Sequence, residues 1–171
     1  MPILEIKLVP DPILRKRAAP LEMVTEEIKS ILNDMAETMY DAPGIGLAAN
    51  QVGILKRLIV MDCSKEEEDP NLIKMINPEI VYSSEEKEEL EEGCLSIPDH
   101  KSIVIRPSKV TVKFLTVDCK TETLEAEGLL AACVQHEIDH LNGVLFVDHI
   151  SRLKRDIILR KVKKQIREND K

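Results

Sequence analysis

Two histidines four residues apart, with a glutamate directly after the first, are the residues of this chain best suited to chemistry. His136-Glu137-Ile138-Asp139-His140 is an HExxH sequence. In an α-helix of 3.6 residues per turn, positions i and i+4 share a face, so the two imidazoles converge on one point and can hold a single metal ion. Glu137 sits beside that point without occupying it. In sites of this kind the metal lowers the pKa of its water to about 7 and the glutamate takes the proton, giving a hydroxide nucleophile at neutral pH. The sequence falls in an apolar stretch of helical character, as a working site requires and a chance match need not.

A catalytic site of this type needs a third protein ligand. Downstream residues serve poorly. The metalloprotease pattern HExxHxxGxxH is followed as far as Gly143, but its last position is Phe146, which has no donor atom. Glu168, the one distal glutamate, lies in a basic segment, and His149 is a weaker candidate. An upstream ligand is therefore expected. Glu92-Gly93-Cys94-Leu95-Ser96-Ile97-Pro98 offers Cys94, flanked by glycine and by residues that suit a strand leaving a tight turn. Cys63, Cys119 and Cys133 read as small buried hydrophobes. A third segment, Gly44-Ile45-Gly46-Leu47-Ala48-Ala49-Asn50-Gln51, is rich in small residues that let backbone approach backbone or ligand closely. It lacks the GK[ST] ending of a phosphate loop and the third glycine of a dinucleotide fingerprint, and it follows a helix rather than a strand. Gln51, taken alone, reads as a surface or capping amide.

Together the three segments resemble the peptide deformylase family, whose signatures are GxGLAAxQ, EGCLS and HExDH. Residues 44–51, 92–96 and 136–140 carry them in that order, and the resemblance covers nearly the whole chain. It implies a metallohydrolase that removes the N-terminal formyl group from formyl-methionyl nascent polypeptides and releases formate. It implies Cys94, His136 and His140 as metal ligands, Glu137 as general base and then acid, and two donors to the developing oxyanion, the Gln51 side-chain amide and the Leu95 backbone N–H. By the same resemblance, the backbone of Ile45, Gly46 and Gly93 pairs with an extended peptide, and Leu129, Ala132 and Cys133 line a methionine pocket. Asp139 and Arg106, with Glu92 as a further partner, are expected to hold the metal site from behind. Pro43 stands where many relatives have an acidic residue and Lys101 where bacterial relatives often have arginine; both bear on peptide preference beyond methionine. A Cys-His-His donor set suits zinc, iron, nickel or cobalt. The resemblance points to ferrous iron, with activity that fades in air and persists with nickel or cobalt.

These residues need elements to hold them. Asp11-Pro12 reads as a cap and first position of a short helical turn, and a longer helix follows a cap at Thr25, with Ile28, Ile31, Leu32, Met35 and Met39 at helical spacing and Pro43-Gly44 as its stop. Residues 55–61 read as a buried strand, 72–76 and 80–82 as two more broken at Asn77-Pro78, and 65–70 as an acidic loop. The carboxylate run at 85–92 reads as a solvated face. Val110, Val112 and Phe114 alternate with polar residues, and Asp118-Cys119-Lys120 turns that strand back into 121–126. Gly128 introduces the apolar helix of the HExDH sequence, and Gly143 ends it. A last helix spans about 151–167, with Leu159, Val162 and Ile166 as its apolar stripe. Strands and helices without βαβ alternation point to an α+β fold, with antiparallel sheets packed around the central HExDH helix and the C-terminal helix outside.

Size and charge agree with one catalytic domain over residues 1–171. With 43% apolar and 32% charged residues, the chain can bury roughly 70% of its unfolded surface and is too apolar for a disordered one. No stretch approaches the ~20 apolar residues of a membrane span, and residues 1–7 lack a charged leader followed by an apolar run, so neither membrane insertion nor secretion is expected. Four scattered cysteines without a CxxC pair read as reduced thiols, and a cytoplasmic location follows. The net charge of −7 argues against a DNA-binding surface. Residues 152–171, however, hold nine Lys/Arg against three Asp/Glu. This basic helix on an acidic body is a candidate contact for ribosomal RNA. Two rivals to a deformylase are a general zinc peptidase and an RNA-binding protein with a structural metal. The first needs a downstream third ligand, and the second would be closed by a fourth.

Overall fold

The computed structural model describes residues 3–169. Helix α1 (Glu26–Asp41) starts where the sequence signals it: the Thr25 hydroxyl accepts a hydrogen bond from the Ile28 N–H, and Glu26 and Glu27 in the first turn suit the positive end of the helix dipole. Asp11 caps the short 3₁₀ turn Pro12–Arg15 in the same way. Seven strands follow in chain order: β1 (Gly46–Ala48), β2 (Leu58–Met61), β3 (Ile73–Ser83), β4 (Lys87–Cys94), β5 (Ile97–Pro107), β6 (Lys109–Leu115) and β7 (Thr121–Glu127). Five of them form one antiparallel sheet in the order β1-β2-β3-β6-β7, while β4 and β5 form a separate hairpin. Helix α2 (Gly128–Leu141) leaves β7 directly, and α3 (Arg152–Asn169) ends the described chain.

The side chains of β2 explain how the layers stack. Leu58 and Val60 pack with Ile28, Leu32, Met35 and Met39 of α1, whereas Ile59 and Met61 pack with Val134, Ile138 and Leu141 of α2. All four residues are buried, since the strand is covered on both faces, and this is why it reads as an unbroken apolar run. The hairpin closes over the other side of α2. Ile97 and Val104 of β5 pack with Phe146, Val147 and the α3 residue Val162 in a third cluster, which leaves α3 on the outside. The fold is therefore α+β, with α2 at its centre.

Three expectations need correction. β3 is one continuous strand and not two: Asn77 takes a left-handed conformation at φ 52°, two register shifts absorb the irregularity, and its amide exchanges two 2.8 Å hydrogen bonds with the Leu21 backbone, so the bulge is tied down. The run 85–92, read as a solvated carboxylate face, supplies most of β4, and the strand expected to leave the turn after Cys94 continues as β5 to Pro107, so that the two pair as a hairpin. Cys119 is exposed in the β6–β7 turn and is no buried hydrophobe. Gly143 stops α2 as expected; its φ of +77° and its packing against the Arg15 carbonyl leave no room for a side chain.

Candidate active site

Helix α2 carries His136, Glu137 and His140 into the space between the sheet and the hairpin, and the last residue of β4 brings Cys94 to meet them. The Nε2 atoms of the two histidines are 3.2 Å apart, and His140 Nε2 is 3.3 Å from Cys94 Sγ. All three donor atoms lie within 4.8 Å of one another. A tetrahedral ion with metal–nitrogen bonds of about 2.0–2.1 Å and a metal–sulfur bond of about 2.3 Å would separate its ligands by about 3.3–3.6 Å. The cluster therefore fits one divalent ion. Of the other candidates, His149 bonds Asp139 at 2.8 Å, Glu168 is exposed on α3, and Phe146 stacks on the His136 ring at 6.3 Å.

The residues behind the cluster set its electrostatics. Glu92 is buried and accepts two bonds from Arg106, at 2.6 and 2.9 Å, and one from His136 Nδ1 at 3.0 Å. Arg106 also donates to Asp139 at 2.8 Å. Burial pushes the Glu92 carboxyl up, but the bonds from His136 and Arg106 outweigh it and hold its pKa at about 2. An ionised Glu92 can only accept, so His136 Nδ1 is the donor and Nε2 keeps its lone pair for a metal. His136 is in turn drawn towards the cationic form: burial opposes a charge there, but Cys94, Glu92 and Glu137 favour it. His140 is held neutral by burial and by its neighbour. The centre thus favours positive charge, which a divalent cation supplies.

Glu137 is fully enclosed. Burial, reinforced by Glu92, raises its pKa to about 7 against the pull of His136, and its Oε2 has no hydrogen-bond partner. A Cβ at Gly46 would lie 3.0 Å from that oxygen and 2.9 Å from Cys133 Sγ, so the small residue at 46 is what lets β1 pass the carboxylate. Gln51 is buried too, not a surface amide. Its Oε1 accepts from the Ala48 N–H at 3.0 Å, which turns its NH₂ towards Ser96 Oγ at 3.1 Å and Cys94 Sγ at 3.6 Å.

A cleft of about 750 Å³ opens over these groups. Ile45, Gly46, Gly93, Leu95, Leu129, Ala132 and Cys133 line it together with Gln51, Glu92, Cys94, His136 and Glu137. β1 is an edge strand of the sheet and β4 has a partner on one side only, so two strand edges flank the cleft.

The chain matches the model of the family described as Polypeptide deformylase over residues 3–156. It belongs to that family. It is 53% identical to the peptide deformylase of Rhizobium meliloti (strain 1021), over 96% of this chain and 94% of that protein. The crystal structure of peptide deformylase from Ehrlichia chaffeensis superposes with a TM-score of 0.94 at 41% identity, covering 98% of this chain and 99% of that one. The same Ehrlichia protein in complex with actinonin gives 0.92 at 42% identity, over 96% and 98%.

Relative to these deformylase motifs, the sequence left three contributors without a role. Ser96 is fully buried and accepts from Gln51, and Ile6 and Leu8 of the N-terminal segment line the cleft. That segment also ties the site together: the Lys7 N–H donates to the Gln51 carbonyl at 2.6 Å and the Val9 N–H to the Ser96 carbonyl at 3.0 Å. No periodicity marks so short an extended strap, and only a partner 40 residues or more away reveals it.

Proposed function

We propose that the cleft binds the formylated amino terminus of a peptide and hydrolyses the formyl amide, releasing formate and a free amine. The observation that carries this reading is the convergence of Cys94, His136 and His140 with Glu137 and the Gln51 amide on one cleft in a chain of the deformylase family. Cys94, His136 and His140 would hold the divalent ion, which when bound would supply Lewis acidity for activating water. The peptide lies extended between the edges of β1 and β4, with the backbone of Ile45, Gly46 and Gly93 as its partners. Leu129, Ala132 and Cys133 receive the first side chain, which is apolar. Gln51 Nε2 and the Leu95 N–H donate to the oxygen that gains charge, each worth about 3 kcal/mol of barrier. Glu137 takes the proton of the attacking water and returns it to the leaving nitrogen. Glu92, Arg106 and Asp139 fix the His136 ring from behind.

The deciding experiment is formate release from a formyl-Met peptide by anaerobically purified, metal-loaded protein, with Glu137→Ala beside it and metal content assayed in both. Turnover by the wild type and none by a variant that still holds metal supports the reading. No turnover by fully metallated wild type overturns it. The native ion in this reading is ferrous iron, so activity declines on aeration in the iron form and persists in the nickel form; an iron form that stays fully active in air contradicts it. The reading also makes the protein cytoplasmic, with the basic face of α3 on ribosomal RNA, since the substrates are nascent chains. Cosedimentation with ribosomes that weakens steeply with salt supports the contact, and its absence at low salt excludes it.

A further inference from the structure

We propose that Cys63 and Cys133 form a peroxide-reactive dithiol behind the wall of the cleft, which closes to a disulfide and reversibly disables the site. Two backbone strands and a helix bring them together. The Ile45 carbonyl accepts the Asp62 N–H at 2.9 Å and the Cys133 thiol at 3.7 Å, so the chain that continues into Cys63 and the thiol from α2 meet around one oxygen. Both thiols are free, both pack in the same core cluster, and each shifts the acidity of the other. Cys133 Sγ also stands 2.9 Å from the Cβ that a side chain at position 46 would have, beside the Glu137 carboxylate. The pair is thus one layer behind the general base, and Cys133 itself lines the cleft.

The two sulfurs differ as an attacking and a resolving thiol must. Cys63 is half-buried, and the neighbouring Cys133 thiol draws it towards the thiolate, although burial and the charges of Asp62 and Glu137 oppose this. Cys133 is buried, and the neighbouring Cys63 together with that burial pushes its thiol the other way. In the first step the Cys63 thiolate attacks one oxygen of hydrogen peroxide; the O–O bond breaks, an S–O bond forms, and the departing hydroxide takes a proton to become water. In the second step the Cys133 sulfur attacks the Cys63 sulfur; the S–S bond forms, the S–O bond breaks, and the hydroxyl leaves with the Cys133 proton as a second water. Two thiols are oxidised to one disulfide and one peroxide is reduced to two waters. A dithiol reductant reverses the reaction. The new bond takes the Cys133 sulfur from the Ile45 carbonyl and from Gly46, which reshapes the wall where β1 receives the peptide.

The test treats the metal-loaded enzyme with graded hydrogen peroxide, quenches it in denaturant with iodoacetamide, and reads mass, free thiols and non-reducing peptide maps. The expected result is a protein lighter by two hydrogens, a Cys63–Cys133 crosslinked peptide, continued alkylation of the exposed Cys119, and a parallel loss of deformylation, all reversed by dithiothreitol. Cys63→Ser, with Cys63→Ala as a second variant, keeps the untreated turnover but gives no crosslink and retains activity at the dose that silences the wild type. The proposal is overturned if Cys63 and Cys133 stay alkylatable while Cys94 gains oxygen, if the crosslink involves Cys94 or Cys119, or if the crosslinked protein turns over unchanged. The effect on turnover rests on the deformylase reading, whereas the mass and alkylation results do not. A protein without deformylase activity that still forms the crosslink therefore separates the two failures.

Discussion

In the proposed reaction Glu137 takes a proton and then returns it, a task that a carboxyl whose pKa lies at about 7 suits better than one at its usual 4.5. The enclosure that produces this shift depends on the smallest side chain of β1. Gly46→Ala places a methyl group 3.0 Å from the Glu137 carboxylate and 2.9 Å from Cys133 Sγ. Overpacking of this kind costs about 1–3 kcal/mol, so the variant should fold with a lowered Tm. Its kcat should fall by more than its stability suggests, since the displaced carboxylate carries the proton in the proposed reaction. Steady-state kinetics beside thermal unfolding checks this; an unchanged kcat would mean that Glu137 is not held by that contact. Residue identity alone carried part of this site. The i, i+4 histidines announce themselves through helical geometry, whereas Cys94 stood out among four cysteines only by its glycine-flanked turn, and the motif resemblance was needed to give it the ligand role. Gln51 read as a surface amide because nothing local reveals that Ser96, 45 residues away, covers it.

At the scale of elements, the β4–β5 hairpin is where sequence patterning fails, and the reason is chemical. On β5 the apolar residues Ile103 and Ile105 are 58% and 56% exposed while Arg106 is 6% exposed, so the usual alternation is inverted. Arg106 must face inward because Glu92 on β4 and Asp139 on α2 are there to receive it. By contrast α1, α2 and the β6–β7 pair were legible, since each combines a cap or turn signal with an ordinary period. The inverted pattern makes a prediction. Arg106→Ala leaves Glu92 buried without its main partner, which should destabilise the protein by about 3–5 kcal/mol. It should also weaken metal affinity by about 10–100-fold, read by competition with a chelator, since the ring of His136 loses its anchor. The pH dependence follows from the sign of the shift. Glu92 titrates at about 2 in the fold against 4.5 ordinarily, so its contribution is complete above about 4.5 and disappears as pH falls towards 2. Removing the guanidinium should move the midpoint of acid unfolding upward, and an unmoved midpoint would show that the pair does not govern the acid limb.

For the molecule as a whole, the metal centre is a brace between parts that otherwise have separate cores. Cys94 ends the hairpin, whose inner residues pack with α3 and the segment after α2, while His136 and His140 belong to the helix packed on the five-stranded sheet. An ion held by all three stabilises the folded state by RT ln(1 + [L]/Kd), about 2.7 kcal/mol when free metal is a hundredfold above Kd. For a chain of this length that corresponds to roughly 5–10 °C in Tm. Chelation should therefore lower Tm by about that amount and restoring the metal should recover it, with hydrogen exchange quickening first around the β4–β5 turn. The size of the effect should depend on pH. Without the ion, a proton on His136 sits beside Glu92 and Glu137, and the His136 pKa lies well above its ordinary 6.5 in the fold. A raised pKa stabilises fully below 6.5, and that contribution is lost as pH climbs through the folded value. The chelated protein should thus lose stability on the alkaline side while the metal-loaded protein, which needs no such proton, does not. The Tm difference between the two forms should widen as pH rises from 6 to 9, and thermal unfolding at several pH values in that range measures it directly. A difference independent of pH would mean that His136 does not carry the compensating charge, and that the centre is held in its empty form by packing alone.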